Sequence, residues 1–305
     1  GDADTITEVE TFRFDDGDIA VSQDGNGLVL TGSSGADNIK VVGSVAVTVQ
    51  GADGADDIDG SEGDDLLFGA DGADVIDGNL GDDSIDGGLG DDTIDGGAGA
   101  DTIDGGDGAD TITGAAGSDT ITGGTGSDVA VFAGNQSGYT FESSTDGLTV
   151  TVTDVATGDA DTITEVETFR FDDGEITVSR DANNGLVLTG SAGADAIAIV
   201  GSVAVTVQGA DGADAIAGGE GGDFLIGSEG ADVIDGNLGD DTIDGGLGDD
   251  TIDGGEGGDF LIGSEGADVI DGNLGDDTID GGLGDDTIDG GAGADTITGG
   301  TGDDD

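Results

Sequence analysis

The sequence predicts an all-β solenoid, and three observations carry that prediction. A nine-residue phrase recurs without a gap through two long tracts, each phrase holds one aliphatic residue between small polar neighbours, and the chain has 68 glycines but no proline. The phrase is plainest at residues 87–104, GGLGDDTID followed directly by GGAGADTID. One aliphatic per nine residues cannot offset roughly 1 to 2 kcal/mol of backbone entropy per residue, so no phrase folds alone. Copies must stack, and something besides apolar burial must hold the stack together.

Taken in order, residues 1–50 read as a partial β unit. Apolar and polar side chains alternate around Phe12 and Phe14, Ile19 and Val21, and Leu28 and Leu30, which predicts three short strands. Residues 32–40 are a first copy of the phrase, and Val45, Val47 and Val49 alternate as a further strand. Nine unbroken copies fill residues 51–131. Residues 132–208 interrupt them, with Tyr139 and Phe141 on one expected strand, Leu148, Val150 and Val152 on another, and then a near-copy of residues 1–50 beginning at Gly158. This stretch predicts a small antiparallel β unit. The second array, residues 209–305, holds ten complete copies and a partial one, and within it residues 218–253 recur letter for letter at 254–289. With no initiator Met and both ends inside repeats, the chain reads as a window on a longer tandem polymer.

Charge narrows the partners. Seventy-one acidic residues face only Arg13, Lys40, Arg170 and Arg180, a formal net charge of −67, and that self-repulsion opposes compaction unless counter-ions are bound. Four scattered cations make no basic patch for nucleic acid or an anionic membrane, and no apolar run approaches the length of a membrane span. A disordered acidic tail would share the charge and the scarcity of aromatics, but would have no reason to keep an aliphatic at every ninth position. With no His, no Cys and one Lys, the chain offers no sign of a catalytic pocket, and it is read as not an enzyme. The absence of cysteine also removes disulfides as a source of stability.

The phrase suits a metal. Glycine at positions 1, 2 and 4 permits a tight turn whose carbonyls converge, and aspartate at position 6 adds an anionic oxygen. Positions 7 to 9 form a three-residue strand with only the middle side chain inward, so two phrases make one turn of the solenoid. Hard oxygens without His or Cys favour Ca²⁺ over zinc or copper, and Mg²⁺ fits worse because it demands a rigid octahedron.

GGLGDDTID, GGAGADTID and GGEGGDFLI resemble the RTX, or haemolysin-type, calcium-binding nonapeptide GGxGxDxUx. The resemblance implies a parallel β-roll, calcium held in the turns between carbonyls and position-6 aspartates at about one ion per turn-forming repeat, and secretion by a type I system from a bacterium. Carried over residue by residue, the ligands in the first array are Asp56, Asp65, Asp74, Asp83, Asp92, Asp101, Asp110, Asp119 and Asp128. In the second they are Asp214, Asp223, Asp232, Asp241, Asp250, Asp259, Asp268, Asp277, Asp286 and Asp295. Asp37, Asp195 and Asp304 hold the same position in isolated or partial copies, and turns with Ala or Ser at position 2, as at Ala115 and Ser61, depart from the motif. Position-9 acids such as Asp86, Asp95 and Asp104 are expected to point into solvent.

Two functions fit this reading. One is an extracellular, calcium-stiffened structural protein: a filament, surface layer or adhesin stalk. The other is the secretion and folding module of a larger type I secreted enzyme. Self-association is expected through the β units and through an outward apolar strip, Phe224 and Ile226 repeated at Phe260 and Ile262, with Leu66 and Phe68 as counterparts and leucines at position 3 adding to it. Threonine pairs such as Thr111 with Thr113 and Thr120 with Thr122 suggest an ice-binding face, but aspartate at most position-9 sites breaks the rows.

Overall fold

The fold was analysed in a computed structural model that describes residues 11–13, 18–23 and 27–305. Its contacts divide it into two units: Gly1–Phe132 with Asp159–Val166, and Ala133–Gly158 with Glu167–Asp305.

In the first unit, Thr11–Arg13, Asp18–Gln23 and Leu28–Thr31 pair antiparallel, with Phe12 opposite Ile19 and Val21 opposite Leu30. These are the three expected strands, although Phe14 lies outside the described residues. From Leu28–Thr31 onward the pairing turns parallel, and two sheets grow side by side. One stacks Val47–Asp53, Leu66–Asp71, Ser84–Leu89, Thr102–Gly108 and Thr120–Gly126. The other stacks Asn38–Lys40, Asp57–Asp59, Val75–Asp77, Thr93–Ala98, Thr111–Ala116 and Val129–Val131.

Register follows from phrase length. Ile94 lies opposite Ile112 and Ile85 opposite Ile103, eighteen residues apart, so two phrases complete one turn. Before the first array the step is nineteen, as at Leu30 opposite Val49 and Ile39 opposite Ile58, because residues 41–50 carry one residue more than a phrase. That extra residue is absorbed in a bend. Val45 is 72% exposed and lies outside the strand, where sequence alternation had placed it inside, while Val47 and Val49 are buried.

In the repeats of the first unit the middle residue of each three-residue strand points inward. Ile58, Ile76, Ile94 and Ile112 from one sheet meet Leu67, Ile85, Ile103 and Ile121 from the other, all at most 2% exposed. Each strand is short because the flanking positions are glycine or aspartate, which favour turns. The stack does not stop at Val131. After an excursion, Ala160–Thr164 returns and pairs parallel with the strand at Thr120, placing Ile163 opposite Ile121.

The second unit repeats the scheme with more of its antiparallel part visible. Tyr139–Ser143 and Thr149–Asp154 form a hairpin with Phe141 opposite Val152, and Leu148 falls in the exposed turn outside it. Thr168–Arg170, Glu175–Arg180 and Leu186–Thr189 pair antiparallel. Phe141 stacks on Phe169 at 6.0 Å and meets Phe171 edge-on at 6.2 Å, giving this unit a small aromatic core. Parallel stacking then runs from Leu186–Thr189 to Thr296–Thr301 on one sheet and from Ala196–Ala198 to Thr287–Asp289 on the other, again in eighteen-residue steps within the array.

Successive turns approach so closely that some positions admit no side chain. At Gly248 φ is +137°, and an added Cβ would overlap the carbonyl oxygen of Gly230 in the turn before. Gly193 holds the corresponding place near the head of the second array, where the nearest atom to such a Cβ is Ser191 Oγ at 3.7 Å and φ is not left-handed. Gly248→Ala is therefore expected to raise the calcium concentration needed for the β signal in circular dichroism at least severalfold, whereas Gly193→Ala shifts it less than twofold. Equal midpoints for the two variants would contradict this account of the turns.

Candidate metal centre

Each phrase brings its position-6 aspartate to the edge of the solenoid, where the chain leaves the turn and enters the strand. Alternation turns that side chain inward along with the position-8 aliphatic, two residues on. Of the nineteen aspartates singled out from the sequence, eighteen are buried, at 0 to 3% exposure, while Asp295 in the last complete repeat is half-buried. Asp37 and Asp195 are buried as well, and Asp304 is exposed.

The carboxylates form ladders. Below the first rung of each ladder, Oδ1 of an aspartate accepts a hydrogen bond from the backbone N–H of the aspartate one turn earlier: Asp74 N–H donates to Asp92 at 2.7 Å, and Asp92 N–H to Asp110 at 2.8 Å. One ladder of the first array runs Asp37, Asp56, Asp74, Asp92, Asp110, Asp128, and the other Asp65, Asp83, Asp101, Asp119. In the second array they run Asp195, Asp214, Asp232, Asp250, Asp268, Asp286, Asp304, and Asp223, Asp241, Asp259, Asp277, Asp295.

The structure adds one residue that the sequence reading passed over. Asp161 accepts the N–H of Asp119 at 2.9 Å and extends that ladder by a rung, although 42 residues separate the two. The signal was present in the string DTIT, which follows both alignments at 119–122 and 161–164.

Oδ2 behaves differently. In Asp56, Asp74, Asp83, Asp92, Asp101, Asp110 and Asp119, and in Asp214, Asp232, Asp241, Asp250, Asp259, Asp268, Asp277 and Asp286, it is buried and has no hydrogen-bond partner. A buried, unpaired carboxylate oxygen costs several kcal/mol unless something positive meets it. Backbone oxygens crowd the same space. A Cβ built on Gly87 would lie 2.6 Å from Asp92 Oδ2 and 2.5 Å from the carbonyl oxygen of Gly105, one turn on. Among the described residues, no three acidic side chains converge on one point. A cation seated here would thus draw on one or two carboxylates and several carbonyls, an all-oxygen set that suits the flexible coordination of calcium. The residues present fit the ion that the sequence implies.

Burial raises the pKa of several of these carboxyls. Desolvation is the largest cause at Asp83 and Asp241, pushed up to about 7, and at Asp92, Asp101, Asp250 and Asp259, pushed up to about 6. The backbone N–H bond partly opposes it, and the carboxylates one turn away add to it. Asp161 is likewise raised to about 7 by burial.

Two parallel sheets wound from eighteen-residue turns, with a carboxylate and close-packed carbonyls at each edge, define an oxygen-lined parallel β-solenoid, a β-roll. The chain belongs to the RTX calcium-binding nonapeptide repeat family: the family's four-copy pattern matches residues 50–85, 68–103, 77–112, 95–130, 204–225, 217–252, 226–261, 253–288 and 271–305, more than half of the chain in all. Repeats of this family are calcium-binding modules, not catalytic ones, and are typical of secreted extracellular proteins. No curated protein sequence matches the chain.

Among solved structures, the extracellular lipase LipA from Serratia marcescens is 17% identical, with 81% of this chain and 32% of the lipase covered at a TM-score of 0.26. The AlgE6R3 subunit of the Azotobacter vinelandii mannuronan C5-epimerase is 25% identical, with 42% of this chain and 75% of that subunit covered at a TM-score of 0.20. The chain thus spans about a third of the lipase's length, and at these TM-scores neither superposition adds to the assignment. Among the described residues no helix is long and apolar enough to cross a membrane.

The raised pKa values set an expectation for the metal-free chain. A carboxyl that titrates near 4 when unfolded and near 6 to 7 when folded leaves stability fully present below pH 4, and that stability is lost as pH rises through 6 to 7. In excess chelator, circular dichroism is expected to show more β signal at pH 5 than at pH 7.5. A signal that falls on acidification would contradict the direction of these shifts.

Proposed function

We propose that this is an extracellular structural protein whose two arrays, residues 51–131 and 209–305, fold on calcium held by their position-6 aspartates, with residues 1–50 a partial β unit leading into the first array and residues 132–208 the β unit between the two. The observation that carries the reading is the file of buried Oδ2 oxygens without partners beside converging carbonyls. Calcium, when bound, supplies the positive charge that those oxygens lack. The chain's own part is to hold each carboxylate by its Oδ1 bond, to exclude water from Oδ2, and to bring the next turn's carbonyl alongside.

Turns of this kind at extracellular affinities, Kd ~10⁻⁴ to 10⁻³ M, leave the chain unfolded where calcium is scarce and folded where it is abundant. Export and folding are then coupled. Far-ultraviolet circular dichroism is expected to show little β structure in chelator at neutral pH and a cooperative gain at millimolar calcium. A spectrum indifferent to chelator would sink the reading.

Assembly is supported by the outward residues. Phe224 and Phe260 are 43% and 45% exposed and occupy one column of the same sheet, with Thr242 between them, so they stand about 10 Å apart. Ile226 and Ile262 fill the adjacent column on either side of Asp244 and are half-buried. Leu80, Leu89, Leu238, Leu247, Leu274 and Leu283, all at turn position 3, are exposed. We propose that these residues pair calcium-loaded solenoids into fibres or sheets. Electron microscopy with calcium is expected to show ordered assemblies for the unsubstituted chain and monomers for a Phe224→Ser/Phe260→Ser variant. Monodisperse particles of the unsubstituted chain at high concentration would favour a folding module of a larger secreted enzyme instead.

A further inference from the structure

The four ladders do not begin as they continue. The first carboxylates of the first array's ladders are Asp37 and Asp65, and those of the second are Asp195 and Asp223. In all four, Oδ2 accepts a hydrogen bond from the backbone N–H at position 2 of its own turn: Ser33 at 2.6 Å, Ser61 at 2.5 Å, Ser191 at 2.7 Å and Gly219 at 2.8 Å. The serine hydroxyls add bonds to the same carboxylates. In the fifteen carboxylates named above, from Asp56 to Asp119 and from Asp214 to Asp286, Oδ2 has no such partner.

A backbone difference accompanies the change. In the turns that follow the heads, position 2 has a φ between 62° and 105°, whether the residue is glycine, as at Gly88, or not, as at Ala52, Asn79 and Ser264. At the four head turns position 2 is outside the left-handed region. Reversing φ there while the chain keeps its path turns over the peptide plane between positions 1 and 2. In a head turn its N–H faces Oδ2; in the others it faces away, and Oδ2 is left bare. Holding Ala, Asn or Ser at positive φ strains the backbone, so the open form requires a compensating interaction that the closed form does not.

Three of the head rungs, at Asp65, Asp195 and Asp223, are also closed from above. Oδ1 of Asp65 accepts the N–H of Val47, and Oδ1 of Asp223 that of Val205, neither of which brings a carboxylate. At Asp195 the side-chain amide of Gln136 does the work of a missing turn. Its Nε2 donates to Asp195 Oδ1 at 2.7 Å, and its Oε1 accepts the N–H of Ala196 at 2.9 Å, the two bonds that a preceding aspartate's backbone makes elsewhere.

We propose that the chain contains two chemical kinds of turn: open turns that take calcium, and self-closed head turns at Asp37, Asp65, Asp195 and Asp223 that do not. The head turns cap each ladder with hydrogen bonds where a metal site would lack its upper neighbour. Asp65 and Asp223 are accordingly removed from the ligand set that the nonapeptide motif assigns. The inference rests on the calcium reading of the open turns.

The test is the number of calcium ions bound per chain at saturation, measured by equilibrium dialysis on the full 305-residue chain. An Asp65→Asn/Asp223→Asn variant is expected to bind as many ions as the unsubstituted chain, and an Asp83→Asn/Asp241→Asn variant at least two fewer. If both variants lose ions equally, the head turns are metal sites and the proposal is overturned. If neither loses any, the aspartate-ligand reading fails and takes this inference with it. Hydrogen exchange on the unsubstituted, calcium-saturated chain guards against a variant that does not fold: slow exchange at the Ser61 and Gly219 amides is expected, and free exchange there would overturn the closed turn directly.

Discussion

The constraint on which everything else depends is a stack of buried carboxylates at the spacing of β-strands. Each turn sets its aspartate about 4.8 Å above the next, and unit charges at that distance repel by about 3 kcal/mol even at an effective dielectric of 20. In the open turns the backbone can neutralise only half of each group. Main-chain N–H donors satisfy Oδ1 all the way down, but there is one such donor per turn, and Oδ2 remains. A protein with a large apolar core could tolerate a few groups of this kind. The repeat strands of this chain bury one aliphatic each, too little apolar surface to offset such a stack.

The same constraint explains the composition. Carbonyl oxygens of one turn approach the next so closely that only glycine fits at places such as Gly90 and Gly248, and the density of glycine follows from packing between turns as much as from turn geometry. The inward aliphatic is Ile, Leu or Val because it must fill the space between two sheets of three-residue strands, where β-branched residues favour the extended backbone. Outward positions escape these demands. They vary among Thr, Asp, Val and Phe.

Much of the fold was legible in the string because a solenoid is nearly one-dimensional: each repeat touches its neighbours, so periodicity and contact are the same information. Gly, Asp and Ile at fixed places in nine predicted both the inward aliphatic and the edge carboxylate, and Ile94 and Asp92 stand accordingly at 1% exposure. Legibility failed where the period did. Val45 continued an alternation that the strand does not follow, since the extra residue in 41–50 had to be accommodated somewhere and local pattern did not say where. Asp161 was missed for the complementary reason: its rung is adjacent to Asp119 in space but follows a long excursion in sequence.

By itself the sequence determined the repeat, the all-oxygen character of the turn and the identity of the family, because those reside in residue types at fixed spacing. Only the tertiary structure decided which of two conformations each turn adopts. Asp65 and Asp83 hold the same place in the motif, yet one carboxylate is closed by the N–H of Ser61 and the other has a bare oxygen. Glycine at position 2 does not separate them either, since Gly219 takes the closed form and Gly246 the open one. What separates them is whether another carboxylate-bearing turn lies above, and that is a property of position in the stack.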